Sequence, residues 1–172
     1  MKRMRLVLLL MLLAPLFFLY SAAQQPAISG KYSNQEIEKM MQDFKRERSH
    51  DVRPTEQLVQ KFKKDFPGAR DVEWEKAAAL YEVEFEIKRV DYLAYYDGMG
   101  NLIMFKHDIR LSALPDPVKK QAKALYPNYR FDDVEKIMKG TEVLYKIEME
   151  RGDAEVKILI KKDGTVVNNA RG

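Results

Sequence analysis

The stretch "LYEVEFEIKRVDYLAYYDGMGNLI" spans Leu80 to Ile103, and a looser version, "LYKIEMERGDAEVKILIKKDGTVV", returns at Leu144 to Val167. In the first copy Tyr81, Val83, Phe85 and Ile87 project to one side of an extended strand, while Glu82, Glu84 and Glu86 project to the other. One side is core and the other faces water. That alternation belongs to an antiparallel sheet covered on one face, since parallel strands buried on both faces are apolar throughout. "DGMGN" at Asp97 to Asn101 and "KDGT" at Lys162 to Thr165 carry the glycines of tight hairpins. "RGD" at Arg151 to Asp153 sits between two strand patterns, so it reads as a turn rather than an adhesion tripeptide.

Before each copy the period is 3.6. "RPTEQLVQKFKKDFPGAR" predicts a helix with Thr55 as N-cap, Leu58 and Phe62 facing inward with Val59 beside them, and a stop before Pro67. "LPDPVKKQAKALYPNYR" predicts its counterpart, with Asp116 as cap and Pro117 in the first turn. There Val118, Ala122 and Tyr126 repeat the spacing of Leu58, Phe62 and Phe66. Each copy is then one helix followed by about four strands, the first near Arg70 to Lys76 or Phe131 to Met138. The expected fold is α+β: a tandem repeat of a helix plus a four-stranded antiparallel sheet, over 55–110 and 111–172, with the helices packed on one sheet face. A unit of about 55 residues is marginal alone, so the two are expected to share one body.

The first residues are of another kind. "MKRMR", then the apolar "LVLLLMLLAPLFFLY", then "SAAQQ" have the order of a secretory signal peptide over 1–23, cleaved after Ala23. The apolar run is short of the roughly 20 residues a membrane span needs, so no span is expected after cleavage. Without Lys2, Arg3 and Arg5 the formal charge falls from +4 to about +1, and lysines and arginines are mixed with acids throughout, so nucleic acid is excluded as a partner. Cysteine is absent, which removes disulfides, thiolate metal sites and a cysteine nucleophile. A short leucine-rich leader and no disulfides fit a bacterial periplasm or exterior. Residues 24–54 read as a polar tether with a short amphipathic helix, in which Ile37, Met40, Met41 and Phe44 share a face.

The order aromatic-Pro, "DVEWEK", "YEVEFE", "YLAYYDGMGNL", "LSALPDPV", "YP", "DVEKI", "YKIEMERGDAEVKI", "KKDG" resembles the PepSY-like family of exported bacterial proteins, also described as beta-lactamase-inhibitor-like. The resemblance covers about Thr55 to Asn169. It implies helices against an antiparallel sheet and a periplasmic or secreted binding role, with inhibition of an enzyme one form of it; most such proteins have no assigned activity, and the inhibitor label comes from fold similarity. Inhibitors of this fold class often carry disulfides; this chain has none, and no target is carried over.

Catalysis finds little support. His50 and His107 are the only imidazoles and stand in different segments, and a strand would place His107 and Asp108 on opposite faces. Glu82, Glu84 and Glu86 form a stripe about 7 Å apart, which Lys146 and Glu148 break in the second copy. Asp97, Met99 and Asn101 mimic part of a calcium loop, but Met99 occupies a ligand position, and a hairpin is expected instead. No catalytic residue, metal or cofactor is therefore expected. Leu93 and Tyr95, with Leu159 in the second copy, should face outward beside the glutamates, as a protein-binding surface requires. The alternative is that the Ile37 to Phe44 helix covers them. The expected partner-binding set is thus Glu82, Glu84, Glu86, Leu93, Tyr95, Lys146, Glu148 and Leu159, holding a protein or peptide. The alternative role is a structural or assembly accessory of the cell envelope, with the Ile37 to Phe44 helix mediating association. The oligomeric state is not legible.

Overall fold

The structure is a computed structural model that describes residues 25–46, 52–77 and 79–171, without the side chains of 169–171. The leader and His50 lie outside the described residues.

Eight strands form one antiparallel sheet in chain order: β1 (Arg70–Ala77), β2 (Leu80–Ile87), β3 (Val90–Asp97), β4 (Leu102–Asp108), β5 (Arg130–Lys139), β6 (Glu142–Arg151), β7 (Ala154–Lys161) and β8 (Val166–Arg171). Three helices accompany them: α1 (Asn34–Arg46), α2 (Glu56–Asp65) and α3 (Asp116–Leu125). The order of one helix and four strands occurs twice, and β4 pairs with β5 through Phe105 opposite Met138, so both sets lie in one sheet.

The registers follow the alternation of the sequence. Tyr81, Val83 and Phe85 face Tyr96, Ala94 and Tyr92, while Tyr145, Ile147 and Met149 face Ile160, Ile158 and Val156. All these positions lie on one side of the sheet, its front face. Thr55 caps α2, its Oγ1 accepting from the Leu58 N–H at 3.3 Å. Asp116 does not cap α3. It is the first helical residue after extended Pro115, and with proline also at 117 the first turn has few N–H groups needing a cap.

Two cores fill the front face. Under α2, Leu58, Phe62 and Phe66 are buried against β2–β4, and rings meet at 4.9 Å for Phe62–Phe85, 4.7 Å for Phe66–Phe85 and 5.5 Å for Phe66–Phe105. Under α3, Val118, Ala122 and Tyr126 pack on Ile147, Met149, Val156, Ile158 and Ile160. The first core is aromatic and the second mostly aliphatic.

α2 and α3 share the front face, as expected of the two helix-and-four-strand units, whereas α1, from outside them, packs on the opposite, back face. Ile37 and Phe44 are buried there with Ala77, Leu80, Tyr95, Ile103 and Met104. The front face is taken by α2 and α3, so the apolar stripe of α1 seats on the remaining apolar surface. Ser33 and Glu36 form a capping box: Glu36 Oε2 accepts from Ser33 N–H at 2.8 Å, and Ser33 Oγ accepts from Glu36 N–H at 3.3 Å. Gly140, at φ +53°, lets the β5–β6 turn approach this helix, since a Cβ there would lie 2.6 Å from Asn34 Oδ1.

Nor is the segment before α1 a free tether. Ile28 packs against the front aromatic core, Tyr32 against the back cluster, and Ser29 N–H donates to the Leu102 carbonyl at 2.7 Å. Asp97 holds this strap. Its Oδ2 accepts from Lys31 Nζ (3.0 Å), Tyr32 Oη (2.7 Å) and Asn101 Nδ2 (2.7 Å), and its Oδ1 accepts from the N–H groups of Met99 and Asn101 (both 2.9 Å). "DGMGN" is therefore a hairpin turn whose acid is engaged inside the fold.

Candidate functional site: the back face of the sheet

Because side chains alternate, Glu82, Glu84, Glu86, Leu93 and Tyr95 share the back face with Lys146, Glu148 and Leu159. What covers them differs. Tyr95 is 6% exposed and Glu82 5% exposed, with the Tyr95 hydroxyl donating to Glu82 Oε2 and its ring meeting Phe44 edge-on at 5.6 Å. The expected exposure of these two is thus corrected: α1 covers them, and a buried carboxylate is tolerated because a phenol satisfies it. Leu93 is half-buried at the margin of the α1 cluster. Glu84 is exposed, and Glu86, Lys146, Glu148 and Leu159 are half-buried.

α1 still reaches β5, where Ile137 joins its cluster and Lys139 pairs with Glu38 at 2.8 Å, and beyond it the back-face charges form a ladder. Lys106 Nζ meets Glu135 Oε1 at 2.5 Å, Lys146 bridges Glu135 (3.2 Å) and Glu148 (2.6 Å), and Lys157 bridges Glu148 (3.2 Å) and Glu155 (2.9 Å). Burial acts to raise the Glu135 carboxyl, but Lys106 and Lys146 outweigh it and hold the group below its ordinary range. For Glu148 the hydrogen bond from Lys146 dominates and acts in the same direction. Networked pairs on a surface contribute roughly 0–1 kcal/mol each, so the ladder orders lysine stems over the sheet more than it stabilises the fold.

Beyond the edge of α1, near the β2–β3 turn, the back face sinks into a hollow of about 430 Å³. Asp71, Glu73, Glu84, Glu86, Asp91, Asp108 and Glu135 line it, with Leu93 and Lys106. Burial, and then the carboxylates of Asp133, Glu135 and Asp91, push Asp108 above the usual aspartate range. Asp108, Asp133 and Glu135 place one oxygen each within 4.8 Å of one another. Glu135 already has two lysines on it, so this triad reads as part of the ion network rather than a metal centre. His107 reaches the rim from the front, stacked on Tyr92 at 4.8 Å and 19°, and burial lowers its pKa, which keeps the imidazole neutral at pH 7. Asp108 lies on the opposite face, so the two do not form a working acid-base pair.

The hollow escaped sequence reading, while the cover by α1 is the alternative the sequence holds open for Leu93 and Tyr95. The hollow gathers acids from β1 to β5, and nothing local in any one strand announces it. The α1 cover did have a signal: Ile37 and Phe44 form an apolar stripe, and Leu93 and Tyr95 were the apolar residues left outside the front core.

No helix among the described residues is long and apolar enough to cross a membrane. No protein-family model matches the chain, and no curated protein is similar to it in sequence. Among solved structures, it is similar to a DUF2874 family protein from Bacteroides uniformis at 18% identity and a TM-score of 0.62, covering 69% of this chain and 90% of that one. A DUF2874 family protein from Bacteroides ovatus gives 17% identity, a TM-score of 0.61 and coverage of 70% and 89%. A BLIP-like protein from Bacteroides fragilis gives 19% identity, a TM-score of 0.60 and coverage of 70% and 88%. At these identities the likeness is one of fold, and the fold is BLIP-like.

Proposed function

We propose that the protein is a non-catalytic binding module of the bacterial periplasm or exterior, which holds a protein or peptide on the back face of its sheet. The observation that carries this reading is the back surface beyond α1, where Lys146, Glu148, Lys157 and Leu159 lie, continuous with the acidic hollow. The BLIP-like fold and the signal-like leader support it, and an inhibitory role is one form it takes. The PepSY-like assignment and the origin of the two helix-and-four-strand units by tandem duplication belong to the same proposal. The binding set is revised to Glu84, Glu86, Leu93, Lys146, Glu148 and Leu159. Glu82 and Tyr95 act through α1 instead.

Partners of matching chemistry carry separate apolar side chains for Leu159 and for Leu93, which lie four strands apart, and basic groups for the hollow. The second reading, an assembly accessory that associates through the Ile37 to Phe44 helix, is disfavoured because both residues are spent within the chain. The test places a photo-crosslinking residue at 84, 159 or, on the outer side of α2, 57 in the native organism. One partner captured at 84 and 159 but not at 57, and lost in Glu84→Lys/Leu159→Asp, is the expected result. Equal capture at all three positions, or only self-adducts, would overturn it.

A further inference from the structure

The sheet is open, so it has two edges, and they are built differently. An edge strand presents unpaired N–H and C=O groups, and proteins blunt that template with charge, bulges or cover. β1 does so: Arg70, Asp71 and Glu73 are exposed, and the register breaks between Arg70 and Glu73, where Asp71 sits at φ +50°. β8 has β7 on one side and no strand on the other among the described residues. Its sequence, Val-Val-Asn-Asn-Ala, carries no charge before Arg171. Val167, at the single register shift near its start, is exposed, as is Asn168.

We propose that β8 is a self-association edge, pairing antiparallel with β8 of a second copy across a two-fold axis. A second copy fits better than a foreign strand for three reasons. A strand whose one charge, Arg171, stands at its end is complementary to itself, since a register centred on Asn168 or the residue after it sets the two Arg171 at opposite ends of the ladder. Pairing β8 to β1 instead would give an unclosed chain of subunits, and the exposed charges of Arg70, Asp71 and Glu73 on β1 oppose it. The two-fold axis also makes the two open back faces continuous. Four strands spaced about 4.8 Å apart and about 25 Å long offer roughly 480 Å², little more than half of the roughly 800 Å² per partner of a standard interface, and two copies supply the area. This last reason rests on the proposed binding role; the first two do not.

So short a ladder makes a weak, concentration-dependent dimer. The absence of cysteine gives a clean test. The protein, expressed from the full chain and purified as cells process it, is made as Asn168→Cys, Val72→Cys and Met99→Cys, each exposed at its site, and oxidised without any partner present. Asn168→Cys should form a covalent dimer about tenfold faster than either control, as proximity in a preformed pair requires. In sedimentation, the unmodified protein should shift toward dimer as its concentration rises, and Val167→Lys, at an exposed position, should remove that shift at unchanged melting temperature. Equal crosslinking at the three positions, or sedimentation as a monomer throughout, would overturn the proposal. Because no partner enters the assay, its failure leaves the binding role to its own test.

Discussion

Tyr95 in β3 and Leu159 in β7 occupy matching places, each opposite a charged residue of the preceding strand: Glu82 in one case and Lys146 in the other. Yet Tyr95 is buried under α1, while Leu159 lies half-open beside an ion ladder. The front cores differ as well, Phe62 standing in α2 where Ala122 stands in α3. Strand pattern sets which face a side chain takes, whereas a third helix decides which half of that face is core. Among the described residues this cover lies over the first half and reaches only as far as Ile137 of β5. The first half's glutamate finds a phenol, and the second half's charges find one another.

The largest break expected in this comparison comes from the aromatic core. Phe62→Ala removes a ring packed on Trp74, Phe85 and Phe66 and should cost about 4 kcal/mol in denaturant unfolding. The converse change, Ala122→Phe, should destabilise by only about 1–3 kcal/mol, as overpacking does. Next is the cover: Phe44→Ala should cost about 3 kcal/mol and speed proteolysis between α1 and α2.

The strap follows. Burial acts to raise the Asp97 carboxyl, but hydrogen bonds from Asn101, Tyr32 and Lys31 outweigh it and hold the group at about 2, below the ordinary 3.8. A depressed carboxyl contributes stability that is complete above its unfolded pKa and is lost as pH falls through the folded one. The contribution, about 2 kcal/mol, should therefore be present at neutral pH and fade between about pH 4 and pH 2. Asp97→Asn should lose it at pH 7 and show a flatter acid limb in a melting-temperature series.

The smallest effect sharpens the first half. The β2–β3 turn puts Lys88 (φ +52°) and Arg89 (φ +65°) in the left-handed region without a glycine. Arg89→Gly should raise stability by about 1 kcal/mol in the same unfolding assay.

Much of this was legible because local rules agreed with one another. Alternation in Tyr81 to Ile87, the glycines of 97–101 and 162–165, and the prolines after Phe66 and Tyr126 each mark an element without reference to the rest of the chain. The Lys88–Arg89 turn was not marked by composition, since neither residue favours a positive φ. The site was half legible. Parity placed Leu93, Tyr95 and Leu159 on the correct face, but burial depends on what arrives from elsewhere, and α1 comes from outside both helix-and-four-strand units. The hollow depends on five strands at once, a long-range property that no short motif carries.

The central claim, that α1 seals one half of the back face and leaves the other open, is tested most directly by thiol labelling of single-cysteine variants. Ile103→Cys lies beneath α1 and Leu159→Cys on the uncovered half. In the folded protein, Leu159→Cys should react at least about tenfold faster, and Ile103→Cys should catch up when Phe44→Ala loosens the helix. Equal rates at the two positions in the otherwise unchanged fold would contradict the account.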